Sequence, residues 1–290
     1  MMKRTFLSRA ASVVAMSGLT LASALAADMP PAGYPDKPIT IVVPFSPGSA
    51  TDTSARIIAE KLGPRLNVPI VIENKPGASG TIGAAFAARA QPDGYTLILT
   101  SSSTHSATPA LFRKLPFDPT GDFVHVIRIA TIPMMLAVRE DAPYDSLQSL
   151  VKATQSKPLN YAYGSPTSQI AGATFNTVAG AAANAVPYKS QPPAVTDLLG
   201  GHVDYLFADL SVVTSFMQSG KLRGLAFTGH ERAKDFPKVP TILREPDVVQ
   251  RFESLGMQVS PNTVGEHKAF AQKQREIWTQ RAVDAKIEPQ

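Results

Sequence analysis

The feature that most constrains this chain is an alternation of short apolar runs with amphipathic stretches, almost every run ending in a loop of small residues. Ile39–Phe45 reads as a buried strand. Ala50–Leu62 follows as a helix with Ala55, Ile58, Ala59 and Leu62 on one side. Pro69–Glu73 is a second strand, Thr81–Ala90 a helix stopped before Pro92-Asp93-Gly94, and Tyr95–Thr100 a third strand. Strand, helix, strand, helix, strand in that order predicts a parallel sheet with right-handed crossovers and helices on both faces.

The same alternation restarts near Ile127. Strands are expected at Met134–Val138, Leu159–Tyr163, Ala185–Tyr188, Asp204–Phe207 and Leu222–Thr228. Helices are expected at Leu147–Thr154, Ile170–Ala179, Ala194–Leu199 and Val212–Met217, the last ended by Gly220. From Pro237 the chain is irregular. A final amphipathic helix at Glu266–Asp284 carries the only tryptophan, Trp278. Two α/β units in one chain commonly leave a cleft between them, and ligands bind beyond the carboxyl ends of such strands.

The N-terminus reads as an export signal. Lys3, Arg4 and Arg9 precede the apolar run Ala10–Leu25, and Ala24-Leu25-Ala26 offers small residues for cleavage after Ala26. The formal charge of +5 would otherwise point to an acidic partner. Loss of the leader leaves 25 Lys+Arg against 23 Asp+Glu, a balance of +2 that argues for no nucleic-acid partner. With no cysteine, disulfides, cysteine-ligated zinc, iron–sulfur centres and thiol nucleophiles are excluded together.

The chemistry must lie in the loops. Pro44-Phe45-Ser46-Pro47-Gly48-Ser49-Ala50-Thr51-Asp52 turns from a strand into a helix, whose first amides lack internal partners and attract anions. Thr51 or Asp52 is expected to cap that helix. Lys75-Pro76-Gly77-Ala78-Ser79-Gly80-Thr81, Ser101-Ser102-Ser103-Thr104-His105 and Gly164-Ser165-Pro166-Thr167-Ser168 occupy equivalent places, and Asp209 lies just past a strand. No phosphate loop, G-x-G-x-x-G or G-x-S-x-G is present. The five histidines are too scattered for a local metal site and are read as surface or capping residues. No cofactor is expected.

Several blocks carry a resemblance. Tyr34-Pro35-Asp36-Lys37-Pro38-Ile39, Val43-Pro44-Phe45-Ser46-Pro47-Gly48, Glu73-Asn74-Lys75-Pro76-Gly77-Ala78 and Pro92-Asp93-Gly94-Tyr95-Thr96-Leu97 resemble the Bug-type (TctC-like) extracytoplasmic solute receptors. These are the substrate-binding components of tripartite tricarboxylate transport systems. Val186-Pro187-Tyr188-Lys189, Asp197–Asp204, Gly220-Lys221-Leu222-Arg223 and Val239-Pro240-Thr241 extend the likeness through the second unit.

The resemblance implies an α/β, two-lobed periplasmic-binding-protein (Venus-flytrap) fold: signal peptide 1–26, lobe 1 at 27–130, lobe 2 at 131–229, and a return to lobe 1 at 230–290. It implies a binder, not an enzyme. The expected monomer captures a small organic carboxylate in the periplasm and delivers it to membrane transporter subunits. Mapped residue by residue, the ligand contacts are Phe45, Ser46, Gly48, Ser49, Asp52, Gly77, Ala78, Ser102, Ser165, Thr167 and Asp209. Alternatives are an exported ligand-sensing module for a signalling receptor, a ligand-incompetent remnant and, least favoured, a secreted serine hydrolase built on Ser101–Ser103 and His105.

Three departures from the family pattern stand out. Ser49 replaces a second glycine, Gly164–Ile170 is shorter than the family's loop, and Glu245 runs directly into Pro246. At that last junction the family has a strand, a turn and a helix, about 30–40 residues by ordinary element lengths. A deletion of one strand and helix from the C-terminal part of lobe 1 is therefore expected.

Overall fold

A computed structural model describes residues 33–228, 258–259 and 264–289. The leader and the Glu245–Pro246 junction lie outside the described residues. The first lobe begins with strand β1 (Ile39–Val43), helix α1 (Ala50–Leu66), strand β2 (Ile70–Asn74), helix α2 (Thr81–Ala88) and strand β3 (Thr96–Ile98). The three strands form a parallel sheet ordered β2-β1-β3, with Ile41 opposite both Ile72 and Leu97. Parallel pairing is what two helical crossovers impose, and it places the three C-terminal strand ends along one edge.

After β3 the chain makes a π-helical turn at Ser103–Ala107, enters the short helix α3 (Thr108–Leu111), and reaches the two-residue strand β4 (Ala130–Thr131). The second lobe contains β5 (Met134–Arg139), α4 (Leu147–Ser156), β6 (Leu159–Tyr163), α5 (Pro166–Ala179) and β7 (Ala183–Pro187). It continues with α6 (Gln191–Leu199), β8 (Tyr205–Asp209), α7 (Leu210–Gln218) and β9 (Leu222–Phe227).

These five strands are ordered β7-β6-β8-β5-β9. β6 runs parallel to β7 and β8, whereas β5 is antiparallel to β8 and β9. The sheet is thus mixed, because β5 enters from the first lobe at the opposite end from the βαβ strands. One apolar cluster, with Leu198, Leu206 and Val213, fills one face. A second, with Leu136, Leu150 and Tyr205, fills the other. The alternation of burial along β8 and β5 sends successive side chains to the two clusters.

The chain then contributes β10 (Gln258–Val259), antiparallel to β4, and α8 (Val264–Asp284). Ala282 of α8 joins Ala107 and Leu111 from the first lobe and Ile170 of α5 in one cluster, with Trp278 and Ile287 packed against it. Among the described residues, no helix is long and apolar enough to cross a membrane.

Two helix ends move furthest from expectation, by four residues each. α1 continues through Gly63-Pro64 to Leu66, and its left-handed cap Asn67 donates its backbone N–H to the Gly63 carbonyl. Proline removes one donor but does not stop a helix whose neighbours are packed. α5 starts at Pro166 rather than Ile170, since proline suits the first helical position and Ser165 and Ser168 form a reciprocal capping box.

Candidate functional site

The loop after β1 is organised around Asp52, which is almost wholly buried. Its carboxylate accepts the Gly48 N–H at 3.0 Å, Arg56 Nε at 3.0 Å and Asn74 Nδ2 at 2.9 Å. The same Asn74 amide donates to the Phe45 carbonyl at 3.0 Å, tying the β1 loop to the end of β2. Burial raises the Asp52 pKa, but the hydrogen bonds from Arg56, Gly48 and Asn74 together hold it below its ordinary 3.8. Asp52 therefore does not cap α1. That role falls to Ser49, whose hydroxyl accepts the Asp52 N–H at 3.3 Å.

Ser49 also resolves one departure from the family pattern. Its φ is −69°, an ordinary extended geometry that needs no glycine, whereas Gly48 at φ +80° does. The turn after β2 is more unusual. Gly77, Ala78, Ser79 and Gly80 all have positive φ, two of them with side chains.

In the second lobe the hydroxyls form a chain. Ser165 Oγ lies 3.2 Å from Thr167 Oγ1 and accepts Gln191 Nε2 at 3.3 Å. Gln191 Oε1 in turn accepts the Asp209 N–H at 2.8 Å. Gly164 permits this assembly, because a Cβ there would meet the Ser190 carbonyl carbon at 2.2 Å. Ser190 Oγ is completely buried and has no hydrogen-bond partner among the described residues. The Asp209 carboxyl is pushed up to about 6 by burial, with a hydrogen bond from Gln191 offsetting part of the shift.

The two lobes meet through hydroxyls. Ser103 Oγ is 2.7 Å from Thr167 Oγ1, both buried. Around this contact lies a pocket of about 20 Å³, lined by Phe45, Ser49 and Thr51 from the β1 loop, Ser101 and Ser103 after β3, and Ser165, Ser190, Gln191 and Asp209 opposite. That is room for about one water.

Of the expected ligand contacts, Phe45, Ser49, Ser165 and Asp209 line this pocket, and Thr167 borders it. Ser46 and Gly48 belong to the same loop, with Gly48 bound to Asp52. Asp52 is turned into the protein and its oxygens are engaged there. Ala78 lines a separate adjacent groove, with Gly77 buried behind it. Ser102 lines neither; Ser101 and Ser103 point to the pocket instead, because the π-helical turn begins between them.

Sequence reasoning missed Asn74, Ser190 and Gln191. Asn74 stood within a quoted block, yet only tertiary packing brings it to Asp52. Ser190-Gln191 carries a helix-start signal, a serine before Pro192, that was readable.

His105 was read as a surface or capping residue. It is instead half-buried, with Nδ1 at 2.9 Å from Thr100 Oγ1 and its ring edge-on to Phe123 at 4.7 Å. No group of acidic residues and histidines that could hold a metal occurs among the described residues.

The arrangement is a closed polar seam between two lobes, rich in neutral donors and poor in charge. Comparison with known proteins identifies the family. Residues 54–267 match the family model described as the tripartite tricarboxylate transporter family receptor. Protein BugT of Bordetella pertussis is 36% identical over 236 residues, 79% of this chain and 72% of BugT.

Among solved structures, Rpa4515 of R. palustris with adipate superposes with a TM-score of 0.82 at 26% identity, over 89% of this chain and 100% of that one. MatC from Rhodopseudomonas palustris with bound malate gives 0.77 at 28%, over 86% and 99%. The two-lobed periplasmic-binding-protein fold expected from the resemblance is the fold observed. By family model, by sequence relative and by fold alike, this chain belongs to the Bug-type, TctC-like receptors of the tripartite tricarboxylate transporter family.

Proposed function

We propose that the protein is an exported receptor, released from its leader after Ala26. In this reading it captures a small organic carboxylate by closing its two lobes and hands it to membrane transporter subunits. The observation that carries this reading is the seam itself. Ser49, Ser165 and Ser190 sit at three helix starts around one small pocket, and the lobes touch there through Ser103 and Thr167. Helix starts and hydroxyls supply directed donors to a carboxylate without requiring a fixed cation. The structural relatives with adipate and malate support this ligand class. Phe45, Ser49, Ser165, Thr167, Ser190 and Asp209 are the proposed contacts, with Asp52 positioning the β1 loop.

Calorimetric titration of the full chain with adipate and malate tests the proposal. Saturable one-to-one binding is expected, with a ligand-dependent rise in melting temperature. A cooperative unfolding transition that no small mono- or dicarboxylate moves would sink it and leave a ligand-incompetent remnant. The proposed shortening of lobe 1 at Glu245–Pro246 predicts that binding is weaker than in receptors with a complete lobe.

A further inference from the structure

Beside the seam lies a larger groove of about 360 Å³, inside the usual small-ligand range of roughly 300–1,000 Å³. The two share a wall, because Tyr163 and Lys189 of the groove directly precede Gly164-Ser165 and Ser190-Gln191 of the pocket. The groove is aromatic where the pocket is polar. Phe112 closes it from the first lobe, and Tyr163 and Tyr188 from the second.

These rings are held in place. Tyr188 donates its hydroxyl to Asp197 at 2.6 Å, Tyr163 lies against Tyr161 with ring centres 6.1 Å apart, and Phe112 packs on the Leu111–Ala282 cluster. The tail wall is held as well, since Arg113 Nε donates to the Pro289 carbonyl at 3.1 Å. At the rim stand one cation, Lys189, and one anion, Glu288, both exposed and neither with an ion pair among the described residues. Their charges cancel for a distant second carboxylate, so a dianion gains little here.

We propose that the groove selects the ligand, and that it selects an aromatic monocarboxylate of the benzoate type. The ring lies among Phe112, Tyr163 and Tyr188, and the carboxylate turns toward the shared wall with Lys189 beside it. Fixed aromatic side chains add stacking energy to buried area, and a single carboxylate satisfies the donors of the seam. This inference rests on the carboxylate-receptor reading above and narrows its ligand class.

The test is titration of the full chain with benzoate, adipate and malate, followed by heat and by the emission of Trp278, the single tryptophan. Benzoate should bind at least tenfold more tightly than malate. Phe112→Leu should weaken benzoate about tenfold and leave malate within about twofold. Lys189→Gln, at an exposed position that should not disturb folding, should weaken benzoate severalfold and flatten its salt dependence. Binding of malate or adipate without benzoate overturns the inference and leaves the receptor reading standing. Equal losses for all three acids in Phe112→Leu make the groove a structural wall and also overturn it, as does Lys189→Gln binding benzoate like the parent. Failure of all three acids overturns both readings.

Discussion

Each lobe holds one carboxylate near the seam, Asp52 turned into its own lobe and Asp209 lining the pocket, and the two are treated in opposite ways. Asp52 of the first lobe is surrounded by donors and held below its ordinary pKa. Asp209 of the second is pushed up to about 6 by burial. The first carboxylate organises its own loop, fixing Gly48, Asn74 and Arg56 around it. The second receives little compensation for its burial, so its protonated form is favoured, and a ligand carboxylate beside it favours that form further. The comparison teaches that the first-lobe loop is preformed, whereas the second-lobe wall is the side a ligand completes.

The strongest way to break that comparison is Asp52→Ala. It strands the Gly48 N–H and the Asn74 amide, and should cost about 2–3 kcal/mol in denaturant unfolding at pH 7. A loss below about 0.5 kcal/mol would show the loop to be self-supporting. Asp209→Asn should act in the other direction. The native carboxyl keeps its proton to about 6 while the unfolded one releases it near 3.8. Between those values the folded chain binds more protons, so this group makes stability fall as pH rises from about 4 to 6. Removing it should raise stability at pH 7 by about 1–2 kcal/mol, its partial exposure being discounted, and should flatten that slope. Asp52 contributes the opposite trend, stability present above pH 3.8 and lost as pH falls through its lowered value.

Smaller effects sharpen the contrast. Ser49→Ala and Ser165→Ala each remove a helix cap, worth about 1 kcal/mol. If the second-lobe wall is completed by ligand, Ser165→Ala should lose more affinity than Ser49→Ala beyond that shared stability cost, which paired titration and melting would reveal. Thr167→Val removes the hydroxyl touching Ser103 and should cost the closed form about 0.5–1 kcal/mol. A larger radius of gyration in solution scattering would register that opening.

The hydrophobic cores repeat the asymmetry. The second lobe buries apolar clusters on both faces of its five strands. Among the described residues, small clusters serve the first, one around Ile41, Val43 and Ala55 and one around Ala84, Ala85 and Phe117. The large exposed apolar side chains also concentrate there, with Val71, Ile82, Phe86, Val124 and Val126 all in the first lobe. A three-stranded parallel sheet has little face to cover, and part of its packing comes from α8 returning late in the chain.

Much of this was legible in residue order. Short apolar runs flanked by Gly, Ser and Thr determined strands, helices and the loops between them, because period and turn chemistry are local. The family blocks identified the fold through the same local signals. What residue order left open was which oxygen faces which donor. Asp52 looked like a cap until Arg56 and Asn74 converged on it, and Ser102 was the expected contact until the π-helical turn brought Ser101 and Ser103 to the pocket instead. Nor could the direction of β5, antiparallel to both its neighbours, be read from apolar runs, since a run carries no strand direction. Local chemistry determined the elements. Only the packed chain decided how carboxylates and hydroxyls are shared across long sequence separations, because burial and hydrogen-bond partnership belong to the folded whole.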